Sequence, residues 1–254
     1  WDKIDVLFKL EGAGKKAFAL GSTHEEVVTP LVKQYIKSYR DLPVAVYEIQ
    51  DKFRNEPRAK SGLLRGREFS MKDLYSFHLD TEDFEEYYEK SKQAYQNVYN
   101  RCGLDAKIVA ASGGEFSKYS HEFQVFTESG EDLVFHCECG WAENKEIVEV
   151  KEGDKCPECG KGKVMVDKAI EVGNIFPLKD RFTSAFDFKV QGPGGKQVNV
   201  IMGCYGIGPS RVMGSVVEVH HDDAGMIWPM SVAPYHVELV TVNSKDETVQ
   251  KRVV

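Results

Sequence analysis

Apolar and polar positions alternate most regularly in the stretch VAVYEIQDKFRNEPRAKSGLLRGREFSMKDLYSFH, residues 44–78. From Tyr47 to Glu56 a period of two places Tyr47, Ile49 and Phe53 on one side and Gln50, Lys52, Arg54 and Glu56 on the other, which predicts a strand. The segment Pro57 to Gly66 carries Pro, Ser and two Gly, the punctuation of a loop. A second alternation then puts Arg65, Arg67, Phe69 and Met71 on one face. The pattern predicts two antiparallel strands joined by a long loop.

On either side of this hairpin the periodicity changes. Residues 1–20 read as a short amphipathic piece (Ile4, Val6, Leu7, Phe8), a Gly/Lys turn from Gly12 to Lys16, and a strand Ala17-Phe18-Ala19-Leu20. Gly21-Ser22-Thr23-His24-Glu25-Glu26 opens a helix over Val27 to Tyr39. Thr23 with Glu26 three residues on reads as a capping box, and Pro30 predicts a kink or a late start. Asp80-Thr81-Glu82-Asp83 starts a second helix with acids where the dipole favours them, and Phe84, Tyr87, Tyr88, Tyr95 and Val98 continue it as a core stripe to Gly103. Strands return at Ile108 to Ala111 and Phe123 to Phe126, around a Gly113-Gly114 turn. Glu122 and Gln124 face the same way, into a pocket or outward at a sheet edge. Ala169 to Phe176 reads as a strand and bend, and Val198 to Met202 as a third buried strand. Gly203 to Arg211 leads from it into a helix ending at Val219, with Pro209 suited to the first turn. Trp228 to Pro234 has the composition of a linker, and His236 to Val242 begins a new strand.

At 254 residues and 42% hydrophobic, the chain can bury a sizeable core. No apolar run approaches the roughly 18 residues of a membrane span, and no signal peptide precedes the first charges, so a soluble cytoplasmic protein without a membrane partner is expected. The first residue is Trp1 and the last, Val254, falls in a segment barely begun, so both natural ends are expected to lie outside this sequence. The net charge of −7 argues against a general nucleic-acid binder, and any RNA contact must be local. Against that charge, Arg54, Arg58, Lys60, Arg65 and Arg67 face a single anion, Glu56. Arginine's planar fork suits phosphate oxygens, which points to a nucleoside triphosphate or a nucleic-acid backbone; the alternative is a solvated loop.

Four of the six cysteines crowd into residues 137–159, which indicates metal in a reducing compartment rather than a disulfide scaffold. Cys156-Pro157-Glu158-Cys159-Gly160 is a knuckle whose turn lets both thiolates reach one tetrahedral zinc. The first pair is less regular: Cys137 and Cys139 are two apart, while His136 and Cys139 have the usual spacing. The ligand set is therefore Cys139, Cys156 and Cys159 with Cys137 or, in its place, His136. Near the C-terminus, Gly203-Cys204-Tyr205-Gly206-Ile207-Gly208-Pro209-Ser210-Arg211 is not a dinucleotide fingerprint, because Arg211 stands where Gly is needed. Its close glycines let backbone approach a ligand, and Arg211 lies in the first helical turn.

The segment FRNE, the basic loop and REFSMKDLYSFH resemble motif 2 of the class II aminoacyl-tRNA synthetases, in the form found in bacterial-type prolyl-tRNA synthetases. MGCYGIGPSRVMGSVVE resembles the same family's motif 3, and GSTHEE, SHEFQVF, IEVGNIF and WPMSVAPY match further signatures in the expected order. The similarity covers nearly the whole chain. It implies an α+β fold, an antiparallel sheet flanked by helices, with a small zinc-ribbon-like insertion at 135–165 and structural Zn²⁺. It also implies a catalytic domain over 1–233 lacking motif 1, and the start of an anticodon-binding domain over 234–254. Relatives use motif 1 at their dimer interface, so a homodimer is expected of the full-length protein. The short stretch from Ala142 to Lys163 leaves no room for the large editing domain of longer bacterial enzymes.

The activity implied is ATP-dependent charging of tRNA(Pro) with L-proline, with Mg²⁺. The resemblance puts Arg54 on the α-phosphate, Glu56 on the adenine amino group, Phe69 against the adenine, Arg211 at the far phosphates and Glu171 facing ATP and its metal. Thr23 and Glu25 hold the proline ammonium, with Phe176 and Cys204 beside the ring. The catalytic pair is Arg54 and Arg211. Many relatives have His where this chain has Asn174. A non-catalytic synthetase-like module that binds RNA or a partner protein is the alternative; the complete set Arg54, Glu56, Phe69 and Arg211 argues for the enzyme.

Overall fold

The computed structural model describes residues 4–240 together with Val242, Lys245, Glu247 and Lys251. A small hairpin of β1 (Lys9–Glu11) and β2 (Ala17–Ala19) leads to helix α1 (Glu25–Tyr35). The long strands β3 (Val44–Phe53) and β4 (Glu68–His78) follow, then helix α2 (Thr81–Arg101). Next come β5 (Ala106–Ser112), β6 (Tyr119–Phe126), β7 (Asp132–His136) and β8 (Ala142–Asn144). The 15-residue strand β9 (Met165–Lys179), helix α3 (Arg181–Ala185), the hairpin of β10 (Lys189–Gln191) and β11 (Gln197–Asn199), strand β12 (Ile201–Ile207) and helix α4 (Pro209–Val219) complete the core.

Eight strands form one sheet in the order β3-β4-β12-β9-β6-β5-β8-β7, with β7 also pairing with β9. The pairings are antiparallel except for the single parallel contact of β5 with β8. Directly opposed residues in an antiparallel sheet share a face. The registers therefore align Glu48, Asp73, Gly206, Asn174 and Glu122 in one row across five strands. From Asp73 to Glu122 that row is the floor of the site described below. Between Phe123 and Gln124 the register slips, their partners being Gly173 and Glu171, so Val172 is the extra residue of a bulge. The bulge turns Glu171 and Asn174, three apart in sequence, toward the same cavity.

Each face of the sheet is covered for a sequence-encoded reason. The Asp80 carboxylate accepts the Asp83 N–H at 3.0 Å, which caps α2, and Glu82 and Asp83 complement its dipole. Phe84, Tyr88, Tyr95 and Tyr99 recur at helical spacing and pack with Tyr205, Phe123 and Ile175 on one face, joined by Val212 and Val216 of α4. On the other face Val28 and Val32 of α1 pack against Tyr75, Phe77, Met202 and Cys204. The stripe of α2 was expected at Val98 as well, but Val98 is exposed and Tyr99 takes the inner position.

Several expected boundaries move. Helix α1 runs from Glu25 to Tyr35 rather than Val27 to Tyr39, with Pro30 inside it. No capping box forms: the Thr23 hydroxyl donates to Glu25, and His24 occupies the N-cap without a side-chain bond to the helix N–H groups. The first hairpin strand ends at Phe53, so Arg54 and Glu56 lie beyond it and not on a strand face, although Arg54 N–H still reaches the Arg67 carbonyl at 2.9 Å. The strand expected over Val198 to Met202 is two, β11 and β12, in different sheets. No strand forms at residues 236–240 or at Val242; Thr241 lies outside the described residues.

Candidate active site

The loop after β3, the turn between β5 and β6, the middle of β9 and the end of β12 enclose a cavity of about 420 Å³. Thr23, Glu25, Arg54, Glu56, Phe69, Glu171, Phe176, Cys204 and Arg211, the residues expected from the sequence, all line it. Gly206 contributes no side chain to the floor. A Cβ there would lie 3.0 Å from an Asp73 carboxylate oxygen.

One end gathers Thr23, Glu25, Phe176 and Cys204. Glu25 is 2% exposed and accepts a hydrogen bond from the Thr23 hydroxyl. Burial raises its carboxyl pKa, against the lowering effect of that bond and of a second one from Cys204. The Cys204 thiol is raised well above its ordinary value, by its own burial and by the carboxylates of Glu25 and Asp73. Cys204 pairs in register with Phe176 across β12 and β9. A buried carboxylate, a hydroxyl and an apolar wall suit a small ammonium with a hydrocarbon body.

The other end is basic. The Arg54 guanidinium lies 5.3 Å from the Phe69 ring centroid, and its Nε donates to the Ser22 carbonyl at 3.3 Å. Arg211, in the first turn of α4, donates to the carbonyls of Glu171 and Leu64, which fixes its direction from both sides. Burial raises the Glu171 carboxyl, and the Arg211 charge opposes that rise. Two guanidiniums held by backbone carbonyls in a half-enclosed cleft are preorganised for phosphate oxygens.

The basic loop is less available than its composition suggests. Arg65 pairs with Glu131 at 3.1 Å and Glu56 at 3.5 Å, and Lys60 approaches Glu131 at 3.8 Å. Arg67 donates to the carbonyls of Glu56 and Pro57. Those cations pin the loop, and of the expected five only Arg54 and Arg65 line the cavity.

Of two buried polar groups at the site, Lys52 escaped the sequence reading and Glu122 was left there between pocket and sheet edge. Lys52, 1% exposed, bonds Asp73 and Glu48, each at 2.8 Å, and His24 Nδ1 at 2.6 Å. Glu122, which also lines the cavity, accepts from Gln124 at 2.8 Å and Asn144 at 3.0 Å, and Gln124 reaches Asp132 at 3.0 Å. Burial, and then the nearby Glu171 charge, push the Glu122 carboxyl up to about 8. Glu122 thus faces the pocket, whereas Gln124 is buried without lining it.

Away from the cavity, Cys137, Cys139, Cys156 and Cys159 bring their sulfurs within 4.8 Å of one another. Tetrahedral zinc with bonds of about 2.3 Å sets its sulfurs roughly 3.8 Å apart. Cys137 lies 3.9 Å from Cys159, and Cys139 lies 3.6 Å from Cys156, so the donor set fits. His136 does not join them; its Nε2 is 2.7 Å from Asp167 and its ring packs on Phe126. A Cβ at Gly162 would come within 2.4 Å of the Cys137 sulfur, so this close approach requires glycine.

The chain belongs to the family of the tRNA synthetase class II core domain (G, H, P, S and T), whose model matches residues 8–220. Within that family its relatives include the proline–tRNA ligase of Anaplasma phagocytophilum (strain HZ), 41% identical over 256 residues, covering 95% of this chain and 60% of that protein. The proline–tRNA ligase of Thermoanaerobacter sp. (strain X514) is 30% identical over 406 residues, covering 100% of this chain and 71% of that one. The fold resembles that of Giardia lamblia prolyl-tRNA synthetase in complex with prolyl-adenylate, with a TM-score of 0.73 at 19% identity, over 99% of this chain and 46% of that one. The chain thus spans 60% of the length of the Anaplasma relative. No helix among the described residues is long and apolar enough to cross a membrane.

Proposed function

We propose that this chain is the catalytic part of a cytoplasmic proline–tRNA ligase. The observation that carries the reading is the polarity of one cavity: an acid with a hydroxyl donor at one end, two fixed guanidiniums at the other. Proline bound by Thr23 and Glu25, between Phe176 and Cys204, directs its carboxylate toward the basic end. ATP lies there with its α-phosphate on Arg54, its adenine against Phe69 with the amino group on Glu56, and its outer phosphates on Arg211.

The proline carboxylate attacks the α-phosphorus, forming prolyl-adenylate and releasing pyrophosphate. The terminal ribose hydroxyl of tRNA(Pro) then attacks the activated carbonyl and releases AMP. No protein nucleophile is required. Positioning two anions against each other and stabilising charge on the transferred phosphoryl group are the tasks, and both fall to the arginines. Mg²⁺ entering with ATP supplies further neutralisation, with Glu171 the carboxylate on that side. The four cysteines hold a structural Zn²⁺. Residues 1–233 act as the catalytic domain, residues 234–254 begin an anticodon-binding domain, and the full-length protein is a homodimer.

Proline-dependent exchange of pyrophosphate into ATP, measured on the protein at its full natural length, tests the reading. Arg54→Ala should lower exchange by about a thousandfold while the fold is retained. Exchange at the unsubstituted rate would end the assignment.

A further inference from the structure

The turn between β5 and β6 presents a side chain that none of the roles above uses. The Gly113 carbonyl accepts the N–H of Phe116 at 2.9 Å and of Ser117 at 3.2 Å, and Gly114 takes φ +52°. A Cβ on Gly113 would lie 2.3 Å from the Ser117 carbonyl oxygen, so the turn closes this tightly only with glycine there. The closed turn fixes where Phe116 stands. Its ring meets Phe176 with centroids 5.0 Å apart and planes tilted by 48°. Both rings pack on the core cluster that contains Cys204, and Phe116 lines the same cavity as Thr23 and Glu25.

We propose that Phe116 is a specificity-determining wall of the amino-acid end of the cavity. It rests on the reading that this end takes proline. The sheet supplies the acid and one side of the pocket, through Cys204 and Phe176. Phe116, packed on Phe176 from the turn, extends that side with one side chain from outside the sheet. A ring larger than proline's would meet this added side chain first. The phosphate end shares none of these groups.

The test uses pyrophosphate exchange by the protein at its full natural length, with proline, with its six-membered-ring homologue pipecolic acid, and with ATP varied separately. Phe116→Ala should raise KM for proline by about tenfold and reduce the preference for proline over pipecolic acid by a similar factor, while KM for ATP stays within about twofold. Phe116→Leu, which keeps apolar bulk in the turn, should show both effects at smaller size. An unchanged proline KM and preference in Phe116→Ala would overturn the proposal, as would equal rises in KM for proline and ATP. If Phe116→Ala does not fold, Phe116→Leu decides, and proline selectivity equal to that of the unsubstituted protein overturns it. Absence of proline-dependent exchange in the unsubstituted protein would instead remove the functional reading beneath it.

Discussion

The ammonium of Lys52 lies 2.8 Å from the Asp73 carboxylate, in a pair whose side chains are 1% and 9% exposed. Glu48 stands directly opposite Asp73 across β3 and β4, and without Lys52 those two acids would face each other with little water between them. Lys52 also donates to Nδ1 of His24, the residue between Thr23 and Glu25, so the same cation ties the Glu25 end of the cavity to β3. Removing one partner of a buried ionic group leaves the others uncompensated. Lys52→Met should therefore destabilise the fold by about 3 kcal/mol in urea unfolding, and adding Asp73→Asn should restore part of the loss. A single variant within about 1 kcal/mol of the unsubstituted protein would mean the network contributes little.

Whether a feature was legible in the sequence depended on how far away its partners lie. Helix α2 could be read because its cap, its acidic first turn and its aromatic stripe are all local, and the β3–β4 hairpin because alternation marks both strands. The cavity residues could be named because their motifs are specific. The fate of Lys52 could not, since any hydropathy pattern puts a lysine outside and Asp73 meets it only after the strands pair. The converse holds for Tyr47 and Ile49, which are 73% and 62% exposed because β3 is an edge strand and nothing among the described residues covers that side. The expected capping box at Thr23 failed for a different, local reason: its hydroxyl is engaged by the Glu25 carboxylate two residues on. Composition also overstated the basic loop, because Glu131, which binds Lys60 and Arg65, comes from the connection between β6 and β7, remote from the loop in sequence.

Glu122 predicts a pH dependence with a definite sign. Its carboxyl titrates near 4.5 when exposed and at about 8 in the fold, because burial and then the Glu171 charge disfavour ionisation. Between those values the native state holds a proton that the unfolded chain has released, so this group makes stability fall as pH rises through the window and level off above about 8. Glu122→Gln keeps the volume and an oxygen for the amides of Gln124 and Asn144 but cannot ionise. The variant should match the unsubstituted protein at about pH 4 and exceed it at about pH 8, on the order of 3 kcal/mol in denaturant unfolding. Parallel stability curves for the two proteins across that range would show that Glu122 ionises freely in the fold.

The cysteine cluster predicts metal from a shortage of other packing. Between residues 145 and 163 the only buried side chain is Cys156, so this segment has almost no apolar core to hold its turns. Four sulfurs at the spacing of one tetrahedral ion supply the missing constraint. Reduced protein should carry one zinc per chain by metal analysis, and Cys156→Ser should lose it. Amide hydrogen exchange should then quicken across 137–163 by about a hundredfold or more, while the amides of α2 keep their protection, because the aromatic core beneath that helix shares no residue with the ribbon. Zinc-free reduced protein with the same slow exchange in this segment would show that backbone bonds such as Cys156 N–H to the Gly162 carbonyl, at 2.8 Å, hold the ribbon unaided.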